Sequence, residues 1–437
     1  MTADQIRSLQ PALAALLEEF RGAFQRRRTF EHWQHYLLGL LADLKRKSIE
    51  PIALAAGVAV RTLQEFLAFF RWDHARVARQ LQRLVADRHG GRSGGIGVLD
   101  ASAHPKQGDQ TPGVQRQWCG QTGKLANCVV GQHLLYTDAD PRNPFTGMLA
   151  SDLYLPENWA HDRARCQAAG IPDTLNYRAK WQIALHQVQH AVAEGIRFDW
   201  LTFDEEYGSV APFWFGLDAL GQRGIGEARP NFHAWATWPT YRSFQPAHAP
   251  RRIDQLCRYS PVFREQDWRR LRIKETTRGA TVWDIKAART HLVVADPAGR
   301  APRPSERRYW LILARNRDSQ ELKYFISNAA ENVAAADMLR AAFTRWQVEK
   351  WFARAKQEAG LGAFEVRTYT SLMRHWLSAR IAMYFLATQT RRLRGEKSAH
   401  HARASRRSRQ RAGRKDLPPL LAFMGGTDRT QRVLPAA

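Results

Sequence analysis

The chain has 437 residues, more than one simple core requires, and 44% of them are hydrophobic, enough to fill two or three buried cores. Lys and Arg number 66 against 41 Asp and Glu; the resulting +25 net charge and pI near 10.6 point to a polyanionic partner. Four scattered cysteines (Cys119, Cys128, Cys166 and Cys257), with no CxxC pair and no finger-like His/Cys cluster, argue against structural zinc. The start MTADQIRSLQ lacks a signal-peptide pattern and no apolar run reaches membrane-spanning length, so a soluble cytoplasmic protein is expected.

Residues 1–90 read as helical throughout: EHWQHYLLGLLADLKRK and RTLQEFLAFFRWDHARVARQLQRLVA carry apolar residues at helical spacing with few breakers. Between them, SIEPIALAAGVAVRTLQEFLAFF predicts a helix from about Pro51, a turn at Gly57 and a second helix from about Arg61. That is the outline of a helix-turn-helix, and equally of any helical hairpin with a glycine turn. The texture changes at RHGGRSGG. GIGVLD then reads as a short buried strand ending in an acid, ANCVVGQHLLYTD and GMLASDLYLP as further strands, and NYRAKWQIALHQVQHAVAEGI as a long helix. FDWLTFDEEYG is another strand ending in an acid, so residues 91–224 form a mixed α/β region. A β-rich block follows over 225–330, with HAWATWPTY, ATVWDIKAARTHLVVAD, RRYWLILARN and LKYFISN. Helical text resumes over 331–390. From Arg391 to Lys415 there are eleven Lys or Arg and one acid, so 391–437 reads as a basic tail.

Asp100 and Asp204 each end a predicted strand, where α/β sheets usually place their sites; each is also open to being an ordinary turn cap. In RWQVEKWFARAKQEAG, Arg345, Glu349, Phe352 and Lys356 fall on one helical stripe beside apolar Val348, Trp351, Ala355 and Ala359. Taken alone this is an amphipathic helix with one i,i+4 ion pair, worth a few tenths of a kcal/mol. Combined with two strand-end acids and a basic chain, Glu349 completes three hard oxygen ligands. Such a set suits Mg²⁺ or Mn²⁺, and two such ions serve phosphodiester chemistry. Lys106, Arg116 and Lys124 flank glycines in an expected loop after Asp100 and are candidate DNA-phosphate contacts or solvated surface charges. Glu205 and Glu206 suit the first turn of a helix or acids that support Asp204, and Trp235, Trp238 and Trp283 suit core packing.

DASAHPKQGDQTPGVQRQWCGQTGKLANC, the FDEEYG strand end and RWQVEKWFARAK, followed by EVRTYTSLMRHWLSARIAMYFL, together resemble a bacterial insertion-sequence transposase of the DDE superfamily. The resemblance spans roughly residues 90–390. It implies an RNase H-like catalytic core interrupted by the β-rich insertion and preceded by an all-α N-terminal domain for DNA binding or dimerisation. By matching position it assigns Asp100, Asp204 and Glu349 as catalytic and metal-binding, with two Mg²⁺ (or Mn²⁺) ions. One branch of the family carries a Tyr-x2-Arg-x3-Glu-x6-Lys signature. Arg345, Glu349 and Lys356 match it, while the Tyr position holds Ala342 with Phe343 beside it. The implied partners are double-stranded DNA, both terminal inverted repeats and target, and a second copy of the chain on DNA, in a bacterial, nucleoid-associated setting. The implied activity is cut-and-paste transposition. The rivals are a metal-dependent nuclease without strand transfer and an inactive transposase-derived DNA-binding protein.

Overall fold

The computed structural model describes residues 7–90, 94–140, 143–242, 245–276, 279–296 and 298–395. In chain order, helices α1 (Leu9–Glu18), α2 (Arg27–Leu41), α3 (Ile49–Ala55), α4 (Val60–Ala68) and α5 (His74–His89) come first. Strands β1 (Gly95–Pro105), β2 (Gln115–Cys119), β3 (Lys124–Thr137) and β4 (Thr146–Leu153) follow, then α6 (Glu157–His161), α7 (Arg163–Ala168) and α8 (Lys180–Ala193). Next are β5 (Phe198–Phe203), α9 (Glu205–Gly208), α10 (Ala211–Ala219), β6 (Gly224–Ala228), β7 (His233–Trp235), β8 (Tyr241–Arg242), β9 (Gln245–Pro246) and β10 (Arg251–Arg252). After α11 (Ile253–Tyr259) and α12 (Pro261–Arg264) come β11 (Arg269–Thr276), β12 (Gly279–Val294), β13 (Arg303–Asn316) and β14 (Leu322–Ser327). The last elements are α13 (Ala335–Thr344), α14 (Gln347–Glu358) and α15 (Tyr369–Gly395). No described helix is long and apolar enough to cross a membrane.

The chain divides into two compact units, one of residues 1–77 with 355–437 and one of residues 78–354. In the first, α2 buries Trp33, Leu37 and Leu40, and α15 contributes Leu372 and Trp376, all shielded from water. Polar links fix this packing: Trp33 Nε1 donates to Ser378 Oγ at 3.3 Å, and Tyr36 Oη lies 2.7 Å from His375 Nδ1. Arg374 caps α4 by donating to the Phe66 and Leu67 carbonyls at 3.2 and 3.0 Å. The long C-terminal helix therefore groups with the N-terminal helices, whereas the sequence had placed residues 331–390 together with the α/β region. The expected helical hairpin is present as α3 and α4, joined through Gly57, whose φ of +63° is a left-handed turn that favours glycine. The basic tail beyond residue 395 lies outside the described residues.

In the second unit, twelve described strands form one mixed sheet in the order β10-β7-β12-β13-β14-β6-β5-β1-β3-β2, with β11 on β12 and β4 on β3. Within it, β4, β3 and β1 pair antiparallel, while β1, β5 and β6 run parallel. The β-rich block is thus not a separate sheet. It returns along β14, which pairs antiparallel with β6, so its long β12–β13 ladder extends the same sheet. Helix α13 lies across this junction, burying Met338, Leu339, Ala342 and Phe343 in one apolar cluster with Trp200, Ile225, Trp283, Ile312 and Phe325. Trp235 and Trp283 are core residues as expected, but Trp238 is 51% exposed, which corrects its expected place in the core.

Candidate active site

Pairing of β1 with β5 proceeds through Val98 opposite Thr202 and then stops, because β5 ends at Phe203 and the chain turns into α9. Strand β1 does not stop there. It continues alongside β3 to Pro105 opposite Cys128, so Asp100 lies in mid-strand and not at a strand end as the sequence suggested. The result is a notch in the sheet. Two residues beyond the last parallel pair, Asp100 and Asp204 sit level with each other and on the same face, since side chains alternate along a strand.

Asp204 caps α9: the Glu206 N–H donates to its Oδ1 at 3.0 Å. The Ala101 N–H donates to Asp100 Oδ1 at 2.7 Å. Burial pushes the Asp100 carboxyl up to about 7, reinforced by the negative charge of Asp204 and opposed by Arg345. Burial likewise pushes Asp204 up to about 6, opposed by Arg345 and reinforced by Glu205 and Glu206. Arg345 Nη1 stands 3.7 Å from Asp100 Oδ2, with side chains only 14% and 16% exposed.

Arg345 is delivered by α13. The Thr202 hydroxyl donates to the Ala342 carbonyl at 3.4 Å, seating the end of that helix on the face that carries Asp204. The helix expected to run unbroken from Arg345 is interrupted: α13 ends at Thr344 and α14 begins at Gln347, so Arg345 and Trp346 form the junction. Beyond the junction, Phe352 of α14 packs on His133 with ring centroids 5.3 Å apart, and Trp351 Nε1 donates to the Thr146 carbonyl at 3.3 Å. His133 is the cross-strand neighbour of Asp100. The first turn of α14 therefore lies on the Asp100 face, and Glu349, one turn before Phe352, stands exposed at its border.

Among the described residues, no three His, Cys, Asp or Glu side chains stand close enough together to hold an ion. The structure brings Asp100, Asp204 and Arg345 together and leaves Glu349 on the adjoining helix. Lys356 is half-buried two turns further along α14. Lys106 follows β1 and is half-buried, while Arg116 on β2 and Lys124 at the start of β3 are exposed. These three cations belong to a strand-and-hairpin system, not to the loop expected after Asp100.

A family model described as DDE superfamily endonuclease matches residues 19–290. The chain belongs to the DDE superfamily endonucleases. A probable transposase for insertion sequence element IS701 from Microchaete diplosiphon is 28% identical over 219 residues. That match covers 49% of this chain and 53% of the relative, so the chain spans about half the length of the curated relative it matches. The family model reaches both aspartates and ends before Arg345 and Glu349.

Sequence reading missed the support behind the acids. Tyr207, fully buried beside Glu206, Asp204 and Asp100, donates a hydrogen bond to Gln132 Oε1, and burial raises its hydroxyl well above the ordinary value. Lys180 Nζ holds Glu206 at 2.6 Å. Gly208 closes α9 so tightly on β6 that a Cβ there would meet the Glu227 carbonyl oxygen at 2.0 Å. Only the Tyr-Gly pair after DEE hinted at this close turn.

Proposed function

We propose that this DDE superfamily endonuclease is a DNA transposase that cleaves strands at transposon ends and joins the freed 3′ ends to target DNA. The observation that carries this reading is the pair Asp100 and Asp204: two largely buried carboxylates, one on β1 and one just after its parallel neighbour β5, met by one arginine. The strand order β4-β3-β1-β5-β6, antiparallel on one side and parallel on the other, supports an RNase H-like core with the first acid on β1 and the second after β5.

The donor set fits a hard divalent cation. Burial raises the proton affinity of both carboxylates, Asp204 adding to that of Asp100 and Glu205 and Glu206 to that of Asp204, and a bound cation relieves what Arg345 only partly relieves. Asp100, Asp204 and Glu349 would hold Mg²⁺ or Mn²⁺, two ions in this reading, with Glu349 brought in from the border of α14. Bound there, the ions supply Lewis acidity for a nucleophilic water or 3′-hydroxyl and for the departing oxygen.

The chain's own residues hold and orient the substrate. Arg345 balances the acids and then faces the scissile phosphate, and Lys356 contacts the strand alongside. Tyr207 and the Glu206–Lys180 pair fix α9 and with it the Asp204 carboxylate. Lys106, Arg116 and Lys124 grip flanking phosphates, and the helical hairpin α3–α4 with residues 1–90 recognises the terminal repeats. Water attacks the phosphorus in the first step and the freed 3′-hydroxyl attacks target DNA in the second, so no covalent protein–DNA intermediate is required. Two ends must be held at once, which calls for a homodimer on DNA.

The test is a reaction of labelled DNA carrying the element's own ends, supercoiled plasmid and Mg²⁺, run beside Asp204→Ala and Glu349→Ala. End cleavage with joined products, lost in both variants, is the expected outcome. Cleavage without joining would replace the proposal with a nuclease. Binding with no metal-dependent cleavage would leave a DNA-binding protein.

A further inference from the structure

Strands β2 and β3 form a hairpin whose turn, Gly120–Gly123, is closed by the Gly123 N–H donating to the Cys119 carbonyl at 2.9 Å. One face of this hairpin is inside: Cys119 and Cys128 are fully buried in a small apolar cluster with Val130. The other face is open. There the cross-strand pair Trp118–Leu125 is 62% and 57% exposed, and the next outward pair is Arg116–Asn127. Two large apolar side chains exposed together on a narrow hairpin are not explained by packing.

The register says which face this is. Unbroken pairing from β1 through β3 places Leu125, Asn127, Val129, Gly131 and His133 on one side of β3, and His133 opposite Asp100. The exposed pair is therefore on the same face as Asp100, eight residues further along β3. At about 3.3 Å per residue that is at most about 26 Å, the rise of about eight base pairs of DNA. Charge agrees. Between Asp109 and Asp138 the sequence has no acid, while the open face carries Arg116, which has no carboxylate partner among the described residues.

We propose that the β2–β3 hairpin is a DNA wedge: Trp118, backed by Leu125, enters a base step within about eight base pairs of the scissile phosphate, while Arg116 on the same face holds an adjoining phosphate. An apolar wedge unstacks one step and bends the duplex, and the bend brings more of the backbone onto the basic face. This inference rests on the reading that the chain acts on DNA.

The experiment uses the full chain in EDTA, so that no strand is cut, with a 30-base-pair duplex labelled at both ends for energy transfer. A second duplex of the same sequence carries a three-nucleotide bulge that bends it in advance. Wild type is compared with Trp118→Ala and Trp118→Phe. Trp118→Ala should bind the straight duplex about five- to a hundredfold more weakly and lose the energy-transfer change. It should bind the bulged duplex within about threefold of wild type, and Trp118→Phe should retain most of the bending. Trp118→Ala that binds and bends like wild type would overturn the wedge, as would equal losses on both duplexes. A change in oligomeric state of Trp118→Ala without DNA would overturn it in favour of self-association. Wild type that binds neither duplex would remove the DNA reading itself. Because Trp118 stands in solvent, the alanine variant should unfold at the wild-type temperature; should it not fold, Leu125→Ala takes its place with the same expectations.

Discussion

Replacing Asp100 by Asn should make the metal-free protein more stable while destroying its activity. Asn keeps the shape of the side chain and removes the charge that the site resists. The Asp100 carboxyl rises from an ordinary 3.8 to about 7, so its ionised form costs the folded protein roughly 4 kcal/mol at pH 8, at 1.36 kcal/mol per tenfold change in proton affinity. Two effects reduce the recoverable part: the side chain still has 16% contact with water, and Arg345 loses a partner at 3.7 Å while keeping its attraction to Asp204. A gain of about 2–4 kcal/mol remains, or several degrees in Tm. The sign with pH follows from linkage. An acid whose folded value is raised contributes stability that is complete below its unfolded value, near 4, and is lost as pH rises through about 7. The advantage of Asp100→Asn should therefore be largest above pH 7 and disappear towards pH 4. Thermal unfolding of both proteins in EDTA at pH 8, 6.5 and 5 checks this. An Asn variant no more stable than wild type at pH 8, or with an advantage independent of pH, would refute the account of an Asp100 burdened by burial and by the charge of Asp204.

Millimolar Mg²⁺ should raise the Tm of wild type at pH 8 but leave Asp100→Asn nearly unmoved, read by the same melts. Glu349→Gln should abolish end cleavage in a gel assay yet change Tm by less than about 1 °C, because the exposed side chain supports no packing. Trp283→Ala should cost about 3–5 kcal/mol in urea unfolding, since the fully buried ring packs 5.1 Å from Phe343. It should also weaken cleavage, because Phe343 belongs to the helix that delivers Arg345.

Asp100 and Asp204 stood out because each follows a short apolar run, and the structure sets Arg345 beside them; helical spacing had aligned Arg345, Glu349 and Lys356 on one stripe, but Arg345 lies before α14 and Glu349 is exposed on it. The break between α13 and α14 left no mark in the sequence. Arg345 keeps helical angles, φ −54° and ψ −36°, and no Gly or Pro stands nearby; the junction instead accompanies a tilted contact of Trp346 with Phe343, centroids 4.5 Å apart. The extension of β1 beyond Asp100 was hidden for a similar reason. ASAHP is a poor strand sequence, held extended by β3. QRQWC did not read as a strand because its alternation sets polar residues beside an exposed tryptophan. Nor could local text reveal that β14 would pair with β6 across almost a hundred intervening residues, making the β-rich block part of the core sheet. The helices behaved more simply, with α2 and α8 close to their expected places.

The division of the chain has a consequence during synthesis. The helices of residues 1–77 reach completion only with residues 355–395, and about 280 residues must be made in between. At about 5–20 residues per second a ribosome needs roughly 14–55 s for that stretch. Throughout it, Trp33, Leu37 and Leu40 lack the helix that covers them. Arg345 likewise emerges long after the two acids it balances. A truncated or stalled chain therefore carries neither a finished helical unit nor a balanced acid pair, and the apolar faces left open in that interval are the ones prone to aggregation.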